Sequence, residues 1–569
     1  MYLTSLSIRN FRGIKALDIE FDPTLTVVMG ENNTGKSSIL NALDICLNQV
    51  KSEKGVCFEP SDFHLDDEHK SIDDSEPIQL TVSFVETENV VWSRSEKQRL
   101  SDIDVGVENS EVHLRVEAKF NLQTREIEQT ISFLNSNGEV LPGKESPKNL
   151  KALRSCVPFF LQGALRDAAR TFGGQSSYWL ELIKANELSL EDKTRFEKEI
   201  QDVQRRLIEA YGGFTTVTQE IDHVSDILDT GLAGHVTVEP KFPDVIRAIR
   251  YETEVNYQTA EQSKIPLENF GEGTQSLAVM MLFNAYLKMK MASGDGFTAP
   301  ILGIEEPEAH LHPNAVYSTW NTLKNLAGQK IVVTHSGEIV SQTELGSIRK
   351  IERDRNGAVV GRLINLMLTD KEKEKFRINF KRGRGELFFS RVWILVEGAT
   401  ELEVYDRCAD IMGEDLYRHG IGIVQYAQIG LEVILKIADA FGIKCVLTAD
   451  NDSKGQSYLE TFRHFTESQT RDILHSCHPL PYSTIETYLC SEGWSAPYLS
   501  HLEKSSDPVA RALLNIQDEQ RDASYWDNVY KFIKSNKPHL VNEALDMMAN
   551  CGVASVPDYI TSVIRDACS

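Results

Sequence analysis

A chain of 569 residues is too long for a single hydrophobic core, which seldom grows past about 250–300 residues, so two or more domains are expected. Its 41% hydrophobic and 25% charged residues exclude a fibrous or wholly disordered protein, and no apolar run approaches the roughly 18 residues needed to cross a bilayer. Sixty Lys and Arg against 84 Asp and Glu give a net charge of −24, which repels nucleic acid at long range and by itself argues against a DNA partner.

The first residues, MYLTSLSIRNFRG, interleave polar positions and carry no apolar stretch before a cleavage site, so no secretory signal is expected. The nine cysteines form no CxxC pair, which fits a reducing, cytoplasmic setting better than a disulfide framework or a zinc site. Residues 1–22 alternate in two runs broken at Asn10–Gly13, predicting strand, turn, strand. Leu25–Met29 is a short apolar strand, Gly30–Ser37 a glycine-rich loop and Ser38–Leu47 a helix. An acidic loop at Pro60–Glu76 precedes strand-like alternation at Ile78–Val85, Glu111–Phe120 and Glu126–Asn135. From 176 to 232 long charged helical patterns predict an inserted helical arm; a dimerisation element and a solvated helix packed on its own domain fit that pattern equally. An alternating segment near His235–Pro240 leads into 233–370, where strand and helix patterns return. The charge-dense stretch Thr369–Gly385, TDKEKEKFRINFKRGRG, predicts a basic linker over 371–388. Apolar strands at Arg391–Val396 and Lys444–Thr448 with helical pattern between them predict a second α/β domain with a parallel sheet over 389–569.

Gly30-Glu31-Asn32-Asn33-Thr34-Gly35-Lys36-Ser37, followed by Ser38, matches GxxxxGK[ST] between a strand and a helix, the context that motif requires. Glycines let backbone N–H groups turn toward phosphate oxygens, the helix N-terminus adds positive potential, Lys36 reaches the outer phosphates and Ser37 is a Mg²⁺ ligand. ATP with one Mg²⁺ is the expected ligand. A second strand ending in carboxylate is needed, and ILGIEEPEAHLHP supplies it: Glu305 holds the metal through water and Glu306 polarises the attacking water. His335, after the strand Lys330–Thr334, is the candidate switch residue at the terminal phosphate. Asn269-Phe270-Gly271-Glu272-Gly273-Thr274-Gln275, opening a helix, resembles the signature motif of ABC-type ATPases of the recombination and chromosome-maintenance branch. In that family the signature loop of one subunit closes over the nucleotide of another. The resemblance therefore implies an amino-terminal ABC-type P-loop ATPase over 1–175 and 233–370, a homodimer or higher homo-oligomer, and nucleotide contacts from Gly271, Gly273 and Gln275.

Val392–Val396 runs into Glu397-Gly398-Ala399-Thr400-Glu401, and Cys445–Ala449 into Asp450-Asn451-Asp452. Carboxylates at the ends of two parallel strands make an oxygen-rich site of the Mg²⁺ type. GENNTGKS, NFGEGTQSL, IEEPEAHLHP, VVTHS, NFKRGRGELFF, VEGATE and TADND occur in the order found in the OLD (overcoming lysogenization defect) nucleases, which join an ABC ATPase to a carboxy-terminal Toprim domain. The chain resembles that family over most of its length, with FFLQGALRDAAR at Phe159–Arg170 resembling the stretch before its helical insertion. The resemblance implies metal ligation by Glu397, Glu401, Asp450 and Asp452, with Glu486 in STIETYL as a later acidic ligand and Lys537 as a late basic residue, for which Lys534 competes. It also implies DNA cleavage with two Mg²⁺ or Mn²⁺ ions, often in defence against phage, with a partner protein or a retron in some members.

The chemistry expected is two-metal phosphodiester hydrolysis under nucleotide control. A Toprim topoisomerase or primase is a competing reading, though no candidate tyrosine nucleophile stands out. An ATP-driven sensor or scaffold with an inactive Toprim site is another. Lys375–Arg384 lies just before the proposed nuclease site and is the expected DNA contact, so binding should be local and salt-sensitive. No membrane partner is expected.

Overall fold

The computed structural model describes residues 1–49, 57–65, 71–163, 189–210, 256–257, 265–266, 271–292, 300–309, 311–353, 359–363, 366, 368–380, 384–468, 475–533 and 537–569. The chain divides into two compact units, one of Met1–Leu161, Ile301–Pro307 and Gly328–Ser569, the other of Gln162–Pro300 and Glu308–Ala327.

The first unit is α/β and holds three sheets. β1 (Ser5–Phe11), β2 (Ile14–Glu20), β4 (Ile78–Val85), β5 (Glu111–Asn121) and β6 (Glu126–Leu134) form an antiparallel sheet in the order β2-β1-β4-β5-β6. Alternation is visible in β4, where Ile78, Leu80, Val82 and Phe84 are buried and their neighbours are not, as expected for a sheet with one face on the core. β3 (Leu25–Gly30), β7 (Phe159–Gln162), β10 (Ile301–Glu305), β11 (Gln329–Thr334), β12 (Ile348–Arg353) and β13 (Val359–Leu363) form a mixed sheet, β13-β12-β3-β11-β10-β7. Its strands β12, β3, β11 and β10 are parallel, and the continuous apolar run Val27–Met29 is buried because helices cover such a sheet on both faces. The third sheet, β15 (Ile421–Gln425), β14 (Val392–Val396), β16 (Lys444–Ala449) and β17 (Ser476–Pro479), is wholly parallel.

Helices of this unit are α1 (Lys36–Asp44), α2 (Arg94–Leu100) and α3 (Pro147–Cys156) before the second unit intervenes. The second unit contains α4 (Leu190–Ala210), the two-residue strands β8 (Asn256–Tyr257) and β9 (Ile265–Pro266), α5 (Glu272–Ala292) and α6 (Pro313–Lys324). Back in the first unit come α7 (Gly337–Gln342), α8 (Asp370–Phe380), α9 (Ala399–Met412), α10 (Leu431–Phe441), α11 (Ser453–Ser468), α12 (Ile485–Leu489), α13 (Ala496–Glu503), α14 (Pro508–Leu514), α15 (Ala523–Phe532), α16 (Lys537–Cys551) and α17 (Asp558–Cys568). Among the described residues no helix is long and apolar enough to cross a membrane.

Of the stretch read as a linker, Asp370–Phe380 is helix α8, and 381–383 lie outside the described residues. Thr369 and Glu372 form a capping box, the Thr369 amide donating to Glu372 Oε2 at 2.7 Å and the Glu372 amide to Thr369 Oγ1 at 3.4 Å, so T-x-x-E starts α8. Phe376 on α8 and Phe388 in the short helical turn Gly385–Phe389 join Trp393 and Phe441 in one core, which also takes in Met29, Val340 and Ile348 of the mixed sheet region. Charge density hid this segment because, among the described side chains of α8, Phe376 is the apolar one that faces inward while Ile378 is exposed. Of the inserted arm, α4 alone is described, and the segment His235–Pro240 lies outside the described residues.

At the far end of the chain Asp566 on α17 accepts from Lys444 at 2.9 Å and bonds His478 at 2.8 Å, tying that helix to β16 and β17. These partners lower the Asp566 carboxyl to about 2 against the opposing effect of burial.

Candidate functional site

The loop between β3 and α1 takes its shape from three residues. A Cβ on Gly30 would meet the Ile351 carbonyl oxygen at 2.1 Å, Gly35 sits at φ 93° and Asn33 at φ 61°. Lys36 opens α1 with its side chain buried, and its ammonium folds back on the Glu31 carbonyl oxygen. Burial lowers the Lys36 ammonium to about 8, while Glu306 and Glu31 hold it up. Because β3 and β10 flank β11 in parallel, Ser37 and Glu305 meet across their ends and share a hydrogen bond. Glu306, at φ 43°, lies 3.8 Å from His335 Nε2. Burial, and then Lys36, push the His335 imidazole down, with Glu306 opposing. Gly30, Lys36, Ser37, Glu305, Glu306 and His335 thus gather at one edge of the mixed sheet, with Asn32 and Asn33 exposed, Thr34 bonded to the Glu31 carbonyl at 2.8 Å, and Ser38 in the first turn of α1.

The second cluster forms at the carboxyl edge of the parallel sheet. β14 and β16 are neighbours, so Glu397 and Asp450 emerge side by side. Glu401 reaches back from the first turn of α9 and accepts the Gly398 amide at 3.0 Å; Glu486 enters from α12 with 5% of its surface exposed. Glu397 Oε2 is buried with no hydrogen-bond partner. A buried carboxylate oxygen in that state, in a cluster of like charges, fits a hard divalent cation. Asp452 stands apart: its Oδ1 caps α11, accepting the Lys454 and Gly455 amides at 2.9 and 2.7 Å, so part of its bonding capacity goes to starting a helix.

Burial first, then Glu401, Glu397, Glu486 and Asp452, raises the Asp450 carboxyl to about 8; burial, with Glu486 and Glu397 adding, raises Glu401 to about 7. Both lie above the unfolded values of roughly 4, so the metal-free protein takes up protons on folding. That stabilisation is complete below about pH 4 and is lost as pH rises through 7 to 8, where a bound cation would offset the repulsion. Mg²⁺ is therefore expected to raise the thermal midpoint by at least about 2–4 °C near pH 8.5 and by less near pH 6. Scanning fluorimetry of the parent beside Asp450→Asn checks this; an equal, pH-independent shift in both proteins counts against a cation at this cluster.

Comparison with known proteins follows this division of sites. A family described as "Protein of unknown function (DUF2813)" matches residues 1–384. The chain belongs to the DUF2813 family. Residues 388–452, which carry Glu397, Glu401, Asp450 and Asp452, match the Toprim domain of overcoming lysogenization defect protein-like proteins. This DUF2813 member is 23% identical to YbjD of Escherichia coli over 98% of its own length and 97% of the relative's. It is 22% identical to the Old nuclease of Escherichia phage P2, covering 94% and 90% of the two chains. It is 24% identical to the OLD nuclease of Thermus scotoductus, covering 79% and 82%. A Toprim domain is thus joined to a region related to the OLD nucleases.

Other expected site residues of this DUF2813 member are less fully described. Gly271 is exposed at the start of α5, its carbonyl accepting the Thr274 amide at 2.9 Å and the Gln275 amide at 3.2 Å; Gly273 is half-buried in the first turn, and Asn269 and Phe270 lie outside the described residues. Lys537 begins α16, but its side chain and the whole of Lys534 lie outside them. So does most of Phe159–Arg170 beyond β7, as do residues 381–383 of the basic stretch, of which Lys375 is exposed on α8. Lys454 was missed. Its Nζ lies 3.0 Å from Glu397 Oε1, which raises the ammonium, and the only sequence cue is a lysine two residues after Asp452. A second small group able to coordinate a metal, Glu414, His419 and Cys568, was missed as well, since its members are spread over 155 residues.

Proposed function

We propose that this chain is an ATP-binding, metal-dependent DNA endonuclease under nucleotide control, acting as an effector of anti-phage defence. The observation that carries the reading is the cluster of partly buried Glu397, Glu401 and Asp450 with buried Glu486 at the carboxyl edge of a parallel sheet, with Glu397 Oε2 buried and unpaired. Glu397, Glu401, Asp450 and Glu486, helped by Asp452, are the residues to hold two Mg²⁺ or Mn²⁺ ions. When bound, such ions activate water and stabilise the leaving oxygen in phosphodiester hydrolysis. Lys454, on Glu397 in this structure and 62% exposed at its side chain, is free to turn toward a phosphate once its carboxylate partner is otherwise neutralised, and it competes with Lys537 for the role of charge-offsetting lysine.

Gly30–Ser38, Glu305, Glu306 and His335 support ATP and one Mg²⁺ at the other site, with Gly271, Gly273 and Gln275 contributed by a second copy in a homodimer or larger assembly. DNA is expected to approach at the basic stretch Lys375–Arg384, of which Lys375 is exposed on α8, so weak, salt-sensitive binding follows, aided by a partner protein or retron nucleic acid.

The route of control is supported by two contacts. Arg391, the residue before β14, donates from Nε and a terminal nitrogen to the two carboxylate oxygens of Glu31 in the phosphate loop, each at 2.8 Å. Gly337, two residues after His335, lies against Gly385, where a Cβ would meet the Gly337 carbonyl oxygen at 1.8 Å. Both loops that face nucleotide therefore touch the segment leading into β14, whose other end carries Glu397. As an exposed ion pair, Glu31–Arg391 adds no more than about 1 kcal/mol to stability. Arg391→Ala should accordingly keep its thermal midpoint and nucleotide affinity while the effect of ATP on cutting shrinks by several-fold. An unchanged ATP response would remove this contact from the route.

The reading as a whole is tested with purified protein, supercoiled plasmid and Mg²⁺ or Mn²⁺, with and without ATP, beside Asp450→Ala. Nicked or linear product that the substitution removes supports it. Relaxed closed circles point to topoisomerase-type chemistry, and no product under any condition to a sensor or scaffold; either outcome overturns it.

A further inference from the structure

Glu414, His419 and Cys568 lie outside the carboxylate cluster, yet they place a carboxylate oxygen, a ring nitrogen and a sulfur within 4.8 Å of one another. The closest given approach is His419 Nε2 to Glu414 Oε2, at 3.3 Å. In a tetrahedral zinc site with bonds of about 2.0–2.3 Å, neighbouring donors stand roughly 3.3–3.8 Å apart. One pair is already at that separation, and a rotation of half-exposed side chains brings in the third.

The backbone beneath them is well held. Gly413 ends α9 in the left-handed conformation, at φ 78°, and the Glu414 amide then bonds the Ala409 carbonyl at 2.9 Å. The turn that follows is closed by His419 to Asp415 at 3.2 Å, Gly420 to Tyr417 at 3.0 Å and Ile421 to Leu416 at 2.8 Å, after which β15 begins. Cys568 sits in the last turn of α17, which buries Ile560, Val563, Ile564 and Ala567 in the core and packs the partly buried Cys568 against it. Donors on two such anchored elements need little ordering to bind an ion, which lowers the entropic cost of coordination.

The donor set discriminates among ions. Mg²⁺ and Ca²⁺ take oxygen ligands, whereas sulfur and imidazole with one carboxylate suit a borderline ion such as Zn²⁺. Three protein ligands leave a fourth position for water. We propose that Glu414, His419 and Cys568 form a Zn²⁺-type site that staples the carboxy-terminal helix to the turn before β15. This site is separate in place and in ion type from the carboxylate cluster, and it does not depend on the nuclease reading.

The test uses the full chain carrying Asp450→Asn, so that the carboxylate cluster is weakened as a competing site. Titration with Co²⁺ should give a thiolate-to-cobalt charge-transfer absorption that saturates at one equivalent, absent in Cys568→Ser and reduced in His419→Ala. Carboxylates give no such band, and the exposed Cys551 is the control that Cys568→Ser leaves in place. Zn²⁺ should also raise the thermal midpoint by about 2–4 °C or more in the Asp450→Asn protein and not after Cys568→Ser is added. No charge-transfer band, a band that survives Cys568→Ser, or an equal thermal shift in both proteins overturns the proposal. Plasmid cutting by the parent is read separately, so loss of one proposal leaves the other standing.

Discussion

Asp450→Asn is expected to cost metal-dependent plasmid cutting a factor on the order of 10³ or more, since it takes the charge from a residue proposed to bind the ions that would stabilise the transition state. The substitution is nearly isosteric, and the side chain it replaces is crowded by Glu401, Glu397, Glu486 and Asp452. Removing one charge from that group relieves repulsion in the metal-free protein, so the variant should fold with a thermal midpoint equal to or above the parent's near pH 8. Loss of cutting with retained stability is what separates a metal ligand from a structural carboxylate. Asp452→Ala offers the contrast: its Oδ1 caps α11, so part of the cost of removing it should appear as lost stability, about 0.5–2 kcal/mol for a lost cap. Initial rates of nicking and thermal denaturation, measured on the same preparations, decide between these outcomes. An Asp450→Asn protein that cuts within a few-fold of the parent would falsify the assignment.

Lys36→Ala is expected to lower ATP affinity by about 10–100-fold, the worth of one strong charge-assisted contact to phosphate. Lys36 is 4% exposed and its ammonium is held by the Glu31 carbonyl oxygen, the same residue whose carboxylate pairs with Arg391. Drawing the ammonium toward a phosphate frees that carbonyl, which gives the loop a reason to change shape on binding. The variant should therefore also lose the ATP dependence of cutting, in whichever direction that dependence runs. Titration with a fluorescent nucleotide reads the first effect and the plasmid assay the second. If the variant cuts at the parental rate with the parental ATP response, nucleotide does not control the Toprim site through this loop.

The charge of −24 takes on a local meaning against these sites. Seven acidic residues, Glu305, Glu306, Glu397, Glu401, Asp450, Asp452 and Glu486, gather at the two clusters. The cations proposed for these clusters would reverse the local sign where a polyanion would approach. The global number describes the rest of the surface and says little about the two places where phosphate chemistry would occur.

How much was legible in the sequence depended on how local the constraint was. The strand, loop and helix around Gly30–Ser37 were readable because the motif encodes backbone requirements: Gly30 has no room for a Cβ beside Ile351, and Gly35 needs a positive φ. Glu397 and Asp450 were readable because each ends an apolar strand, and adjacent parallel strands deliver their carboxyl ends to one edge. β12, β13, β15 and β17 went unremarked, being short strands whose pairing is set by partners far away in the chain. The 371–388 stretch was misjudged because charge count outweighed the capping box at Thr369 and Glu372 and the few apolar residues that reach the core.

The residues alone determined the chemical types present and the local backbone that carries them, since glycine, proline and strand-ending carboxylates act within a few positions. Only the tertiary structure decided which distant groups meet: Glu31 with Arg391 across 360 positions, Lys454 with Glu397 across 57, and Glu414 and His419 with Cys568. Such contacts leave no periodic or compositional trace, because side-chain partnership over long separations is set by how sheets and helices pack, and packing is decided by the whole core at once.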